Sequence, residues 1–473
     1  MSNEKTTTAA PLPDYITSAT PNPAENRAPW FKNTAPTYAG IFLWFVFWQE
    51  AAVAPNLGGT LAGGVLWALI CFVLAALICH FFFYLVPGLL GQKTGLPLYI
   101  VGTSTYGAQG GLLMPGFIMG LLQFGWLGVN IFFSSMALSL VIPLPPQVIM
   151  VVWGVLAAFV GLKGIQYVGR VATYLPLIPL AILLVLFVKT IGSVGGLEVT
   201  KLIEAHQAVA PDAAPALSAF GVLAFVLTYV VGFFATAGAA GVDFGTNSRD
   251  AKDVKMGGLV GIAGAIIVTA GLSALIVAGV YGSASLATKA VDAGKESGGF
   301  ILSSFNLIPV ILGDTAFKWM GFLLAVAAFP AACFSSFIAA NSFKTTLPKV
   351  NPFVSVGIGA AVSIALAVTG LVGRVVPVFV IIGASFGPIC GAMFVDYLMN
   401  KGTWTGPRAG FNPAGWIAWA VGFVVGILPN LGVAVPAAPV LAFVVGAFVY
   451  YVCAKAGLLS PVVPLPGVTA KAE

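Results

Sequence analysis

The sequence predicts an all-α membrane protein of about twelve transmembrane helices. They form a five-plus-five inverted repeat with interrupted helices 1 and 6, followed by two further C-terminal helices. Three observations lead there. Of 473 residues, 59% are hydrophobic and only 8% are charged, with a mean hydropathy of +1.01; no soluble domain of this size has that balance. Apolar runs of roughly 20 residues, the length that crosses a bilayer, recur with cores at 37–57, 61–87, 110–138, 147–163, 171–192, 215–243, 257–283, 314–342, 352–371, 375–399, 413–432 and 436–456. The first and sixth of these runs are broken by small and polar residues.

Residues 1–35 are polar and rich in Pro, Thr and Ala, with no apolar stretch near the start. They are expected to form a disordered cytoplasmic tail rather than a cleaved signal. The first span, YAGIFLWFVFWQEAAVAPNLGG, begins with aromatic residues and turns polar and small at Trp48, Gln49, Glu50, Ala51 and Ala52, with Pro55 and a glycine pair beyond. The sixth carries TYVVGFFATAGAAGVDFG, in which Phe233 and Phe234 precede a cluster of small residues around Gly238. In lipid, an opened backbone is tolerated only where it lines a cavity or is buried in protein. Paired interruptions in spans 1 and 6 therefore point to a binding site at the midplane, between inverted repeats. Small residues can also serve close helix packing, which is the alternative reading of Gly238 and its neighbours.

Span 3 contains LLQFGWLGVN, whose Gln123, Trp126 and Asn130 share one helical face. A polar–aromatic–polar stripe is costly against lipid and is expected to face inward; bonding between helices by the two amides is the alternative. Span 8 contains PAACFSSFIAANS. Its adjacent hydroxyls, Ser335 and Ser336, either bond back to their own helix or, with carbonyls freed at a broken helix, suit a small hard cation such as Na⁺. Asn341 lies five residues beyond Ser336.

Charged residues are sparse. Of fifteen carboxylates only Glu50 falls in mid-span, where a charge costs roughly 2.5–3.5 kcal/mol and so tends to be paired or functional. Asp243 and Asp396 sit at span ends beside basic loops and read as ion-pair or capping residues. Fifteen of the 21 Lys and Arg residues fall on the side of the N-terminus and six on the other, which predicts two cytoplasmic termini. The net charge of +6 is spread over loops and is no nucleic-acid signal. The two histidines, His80 and His206, make no metal cluster or relay, and the five cysteines lie in apolar spans as core residues. Gly383-Ala384-Ser385-Phe386-Gly387 matches a hydrolase elbow, but it lies within an apolar span and has no triad partner. With no P-loop, zinc spacing or HExxH, an enzyme is not expected. A lone mid-span acid also argues against a repeated pore ring.

Several stretches resemble the nucleobase–cation symporter family of cytosine, uracil, purine, allantoin and hydantoin permeases. They are FVDYLMNKG (394–402), GFFATAGAAGVDFG (232–245) followed by Arg249, GQKTGL (91–96), the Gln123, Gly125 and Trp126 pattern, and GLKGIQYVGRVATYLP (161–176). The likeness runs from about residue 30 to 455. It implies a LeuT-type transport core over 36–400, with repeats 36–192 and 215–400, two further helices over 401–457 and a cytoplasmic tail over 458–473. It also implies alternating access coupled to Na⁺ or H⁺ in a plasma membrane, the inner membrane of a bacterium. In such permeases the substrate ring stacks between a third-span Trp and a sixth-span aromatic, matching Trp126 and Phe234. Polar contacts fall on Gln123 and, in the hydantoin branch, on Asn130 and Asn341. The family's sodium site falls on Ser335 and Ser336, with the carbonyls of Ala332, Phe45 and Trp48. Gln49, Glu50 and Phe233 complete the candidate substrate ligands.

Two residues depart from that pattern: Phe233 stands where a cytosine permease has Ser, and Glu50 where nucleobase carriers have an uncharged residue. The expected function is import of a small planar nitrogen heterocycle by Na⁺ symport. Aromatic faces beside an acid would also suit a proton-coupled carrier of a cationic, guanidine-like solute, and a channel or receptor without coupled transport is the remaining alternative. The expected partners are a small-molecule substrate and the lipid bilayer, with no nucleic acid and no obligate protein.

Overall fold

The computed structural model describes residues 12–465. Ten helices are long and apolar enough to cross a membrane: α2 (Val65–Thr94), α3 (Leu112–Leu138), α4 (Pro146–Lys163), α5 (Gln166–Gly196), α6 (Ala219–Ala239), α7 (Ala251–Gly282), α8 (Asp314–Thr346), α10 (Val375–Met399), α11 (Pro413–Leu431) and α12 (Ala438–Lys455). The shorter α9 (Pro352–Val368) and an interrupted α1, which runs Thr34–Leu43 and then Phe45–Gln49, complete the twelve. Strands are absent among the described residues; three isolated bridges, such as Ala28 with Ser248, are the only β pairing there.

Packing divides the core into two groups. Helices α1 and α2 lie against α6 and α7, while α3 and α4 lie against α8 and α9. Each group thus takes two helices from each half of the chain, as an inverted repeat requires. Helix α10 packs on α6 on one side and on α11 and α12 on the other.

The interruptions lie close to their expected places, with informative shifts. Helix α1 stops at Gln49 as expected, but it also breaks earlier, at Trp44, whose ψ of 122° is extended. Helix α6 stays helical through Phe233–Ala239 and is interrupted at Ala240, after which a short helix spans Gly241–Gly245. Small residues in α6 bring helices close: a Cβ on Gly232 would stand 2.7 Å from the Phe379 carbonyl oxygen, and one on Gly238 would stand 2.9 Å from the Phe83 Cβ. That is the close-packing role weighed against a break.

The expected disordered tail over 1–35 needs correction; its first eleven residues lie outside the described residues. From residue 12 the chain forms a strap across the face that carries both termini. Asn22 N–H donates to the Gly95 carbonyl at 2.9 Å, and its Nδ2 donates to the Thr246 carbonyl at 3.0 Å. Arg27 Nη1 donates to the Gln92 carbonyl at 3.0 Å, and Trp30 N–H to Asp253 Oδ1 at 3.2 Å. Composition misleads here because the strap is held by carbonyls at helix ends, not by an apolar core of its own. The final segment also folds back, with Arg408 bridged to Val462; of the expected tail over 458–473, residues 466–473 lie outside the described residues.

FVDYLMNKG is a packing clip. Asp396 accepts from Tyr450 on α12 at 2.8 Å and lies 3.6 Å from Arg408 Nη2, with both charged residues buried. Arg408 in turn donates to the carbonyls of Ser104 (2.8 Å) and Ser460 (3.0 Å). On the opposite face, His206 Nδ1 accepts from Gly58 N–H at 3.0 Å, and burial holds its pKa below the ordinary histidine value.

Removing one member of a buried charge pair strands the other. Arg408→Ala is therefore expected to lower stability by about 3–5 kcal/mol. Lys295→Ala, whose pair with Asp292 is exposed and 3.9 Å long, should cost about 0–1 kcal/mol. Thermal unfolding in detergent checks both.

Candidate functional site

Four aromatic rings from four helices meet where α1 breaks. Trp44, held extended, has its ring 6.0 Å from Trp126 on α3 and 6.2 Å from Phe233 on α6. Trp126 meets Phe233 edge-on at 5.0 Å, and Phe379 of α10 lies 5.5 Å from Trp126 and 5.4 Å from Phe233. Trp126 Nε1 donates to Thr236 Oγ1 at 3.1 Å. The indole N–H of Trp44 is buried and finds no partner among the described residues. The site therefore has aromatic faces and one free donor.

Of the expected clamp pair, Phe234 meets other rings. Phe234 stacks on Phe42 at 5.7 Å and packs on Tyr38 at 5.8 Å, away from Trp126. Neighbouring residues on a helix point about 100° apart, so it is Phe233 that reaches Trp126. Sequence reasoning also missed Trp44, Phe379 and Thr236. Trp44 stood within the aromatic run of span 1, whereas span 10 offers no local signal that singles out Phe379.

The amides divide differently from expectation. Asn130 Nδ2 donates to the Ala328 carbonyl at 2.9 Å, while its Oδ1 accepts from Ser134 and Trp153, each at 3.2 Å. It joins α3 to α8 and α4, as in the helix-bonding alternative, through both acceptor positions of Oδ1 and one of its two N–H donors. Gln123 is buried with only a 3.7 Å contact to Met119 Sδ. Asn341 is exposed on α8. One turn further along, the Thr345 hydroxyl donates to the Asn341 carbonyl at 3.2 Å.

The break exposes carbonyls that other groups cover. Trp48 Nε1 donates to the Leu43 carbonyl at 3.0 Å, and the Tyr229 hydroxyl donates to the Phe47 carbonyl. The Gln49 carbonyl accepts from Ser304 N–H at 3.2 Å. Glu50 follows at the end of α1, an electrostatic neighbour of Tyr229. The ion pairs formed among the described residues leave Glu50 out.

The expected sodium ligands come from two helices. Ser336 turns back to the Ala332 carbonyl at 3.5 Å and faces α4, where a Cβ on Gly161 would stand 2.8 Å from the Ser336 Cβ. Ser335 shares that buried helix. Phe45 and Trp48 belong to the other helix group, with Phe45 packed on Phe305 at 5.6 Å. Ser335, Ser336 and Ala332 lie on α8, which packs with α3 and α4, and Phe45 and Trp48 lie on α1, which packs with α6 and α7.

On the face of the termini a pocket of 310 Å³ is lined by Thr20, Pro21, Asn22, Pro23, Gly95, Pro97, Asp243 and Thr246. Asp243 accepts from Leu98 N–H at 2.9 Å, so it caps a chain turn as expected.

No protein-family model matches the sequence, and no curated protein sequence matches it. Solved structures do match. Mhp1 in an inward-facing conformation is 16% identical, with 94% of this chain and 95% of that one covered at a TM-score of 0.61. Mhp1 as a nucleobase-cation-symport-1 family transporter, closed with bromovinylhydantoin bound, is 14% identical over 94% and 97% of the chains, again at 0.61. The fold is LeuT-type. A Na⁺-coupled sialic acid symporter in a substrate-bound, outward-open state shares it at 14% identity over 95% and 93%, with a TM-score of 0.54.

Core and wall residues should respond differently to truncation. Phe234→Ala opens a cavity among Tyr38 and Phe42 and is expected to cost about 3–5 kcal/mol. Trp126 is half-buried at the ring cluster, and Trp126→Ala should cost less than half as much. Thermal unfolding of the two variants side by side decides this; the reverse ranking would make Trp126 core.

Proposed function

We propose that this chain is a secondary transporter of the nucleobase–cation symporter type, importing a small planar nitrogen heterocycle by alternating access with Na⁺ as the coupling ion. The observation that carries the reading is the set of four rings, Trp44, Trp126, Phe233 and Phe379, gathered at the break of α1. A planar ring gains about 1–3 kcal/mol from stacking on an aromatic side chain where bases are bound this way. The free Trp44 N–H supplies a donor for a ring carbonyl or ring nitrogen. Likeness in fold to Mhp1 and to the sialic acid symporter supports a carrier, as does the division of helices into two groups able to rock against each other. The charge bias supports a plasma-membrane location with both termini, and hence the pocket beside Asp243, on the cytoplasmic side.

A second reading keeps the site and changes the cargo. Glu50 has no basic partner among the described residues, which favours a cationic, guanidine-like solute attracted by the acid and the ring faces, with a proton as the coupling ion.

Uptake of labelled nucleobases, hydantoins and guanidines into proteoliposomes, under an imposed Na⁺ or pH gradient, separates these readings. Accumulation of a heterocycle driven by the Na⁺ gradient is expected, and Trp126→Ala should weaken binding by roughly 5- to 150-fold, the equivalent of one lost stacking contact. Undiminished binding by Trp126→Ala would remove the ring site. Equilibration without any gradient dependence would leave a channel.

A further inference from the structure

The far end of α1, beyond the ring cluster, gathers oxygen atoms from four elements. The hairpin that precedes α8 reaches in and places Ser304 N–H on the Gln49 carbonyl at 3.2 Å. The Ser304 hydroxyl shares a 2.8 Å hydrogen bond with Ser273 of α7. Tyr229 of α6 donates to the Phe47 carbonyl, and Glu50 is its electrostatic neighbour. Phe305 packs on Phe45 at 5.6 Å and holds the hairpin against α1.

Two features of this cluster are unexplained by packing. Ser303, beside Ser304, is only 5% exposed, yet its hydroxyl has no hydrogen-bond partner among the described residues. Glu50, part-exposed at the end of α1, is an acid with no Lys or Arg paired to it among the described residues. A buried hydroxyl left unbonded and a carboxylate left unpaired are each unfavourable. Their occurrence within a few residues of one hydrogen-bonded junction points to an absent ligand that satisfies both. Gln49 adds a buried side-chain amide at 2% exposure, and the groups at hand are rich in oxygen acceptors.

We propose that the end of α1 is a Na⁺ site, with the Glu50 carboxylate and the Ser303 hydroxyl as ligands and oxygens of Gln49 and Ser304 completing the shell. Ser273 positions Ser304 through their shared hydrogen bond. One carboxylate with neutral oxygens balances a monovalent charge. Calcium calls for six to eight oxygens, carboxylates among them. The site rests on the reading of the chain as a cation-coupled carrier, and it supplies a physical link between ion and solute. It closes one end of Phe45–Gln49, the short helix that begins beside Trp44. An ion that fixes this helix against α7 and the hairpin therefore also fixes a wall of the ring site. The site is separate from Ser335 and Ser336, which lie in the other helix group.

Two measurements test it on the full-length purified protein. Na⁺ is titrated against choline at constant ionic strength, read as thermal stabilisation and as binding of radiolabelled Na⁺, for the parent, Glu50→Gln and Ser303→Ala. The parent should show saturable Na⁺ binding, Glu50→Gln should weaken it by roughly tenfold or more, and Ser303→Ala by roughly three- to tenfold. Gln keeps the shape of Glu, and gel-filtration profiles matching the parent's exclude misfolding. Na⁺ affinities equal to the parent's in both variants would overturn the proposal. So would a Glu50→Gln variant that loses only solute affinity, or a parent that binds no Na⁺. Gradient-driven uptake is the second measurement. If the parent accumulates solute on a Na⁺ gradient while both variants keep normal Na⁺ affinity, the site is wrong and the carrier reading stands. If the variants lose Na⁺ affinity but the parent shows no gradient-driven uptake, the site stands and the carrier reading falls.

Discussion

A peptide chain that breaks its helix inside an apolar layer must find partners for every carbonyl it frees. The break at Trp44 imposes that requirement, and much of the structure follows from meeting it. Tyr229 of α6 covers the Phe47 carbonyl, Trp48 covers that of Leu43, Ser304 covers that of Gln49, and Thr60 covers that of Ala51 at 2.9 Å. Tyr38 adds a bond to the Ala237 carbonyl at 2.8 Å. The Trp48 bond stays within α1, and each of the others ties the broken segment to a partner in its own helix group: α6, the turn before α2, or the hairpin. The broken helix is thereby locked into one body with α6 and α7.

The other body has its own hub in Asn130, whose amide bonds α8 and α4. The ring cluster lies at the seam, with Trp44 and Phe233 from one body, Trp126 from the other, and Phe379 from α10 beside them. A site at the seam of two internally bonded bodies can change its exposure when they tilt, without breaking the bonds within either. The strap formed by Asn22 and Arg27 crosses the same seam at the face of the termini, since Tyr15 also bonds the Ala108 carbonyl near the start of α3.

What the sequence revealed follows the range over which each signal acts. Span number and extent come from composition over some twenty residues, so all twelve helices were legible. Glu50 was legible because a lone charge in an apolar run needs no context. The faces of α6 were not: Phe233 and Phe234 are adjacent, and only the rotational setting of the helix against α1 and α3 decides which ring meets Trp126. Asn130 and Ser336 sit on inward-facing stripes whether they hold a ligand or a neighbouring helix, so their use became plain only with Ala328, Trp153 and Gly161 in place. FVDYLMNKG, the most specific family-like stretch, proves to clip α10 to α12 through Asp396 and Tyr450, far from the rings. A motif can mark a fold by its packing alone.

The central claim is that a solute binds at the rings and shifts the balance between two states that open to opposite faces. Asn341 is exposed near the end of α8, where its carbonyl accepts from the Thr345 hydroxyl at 3.2 Å. The five native cysteines are buried, so Asn341→Cys supplies an accessible thiol. Labelling it with a membrane-impermeant maleimide in vesicles of both orientations measures access directly. The account predicts reaction from the face of the termini only, at a rate that changes when Na⁺ and a transported heterocycle are present. Reaction from the opposite face, or a rate indifferent to both solutes, would contradict it.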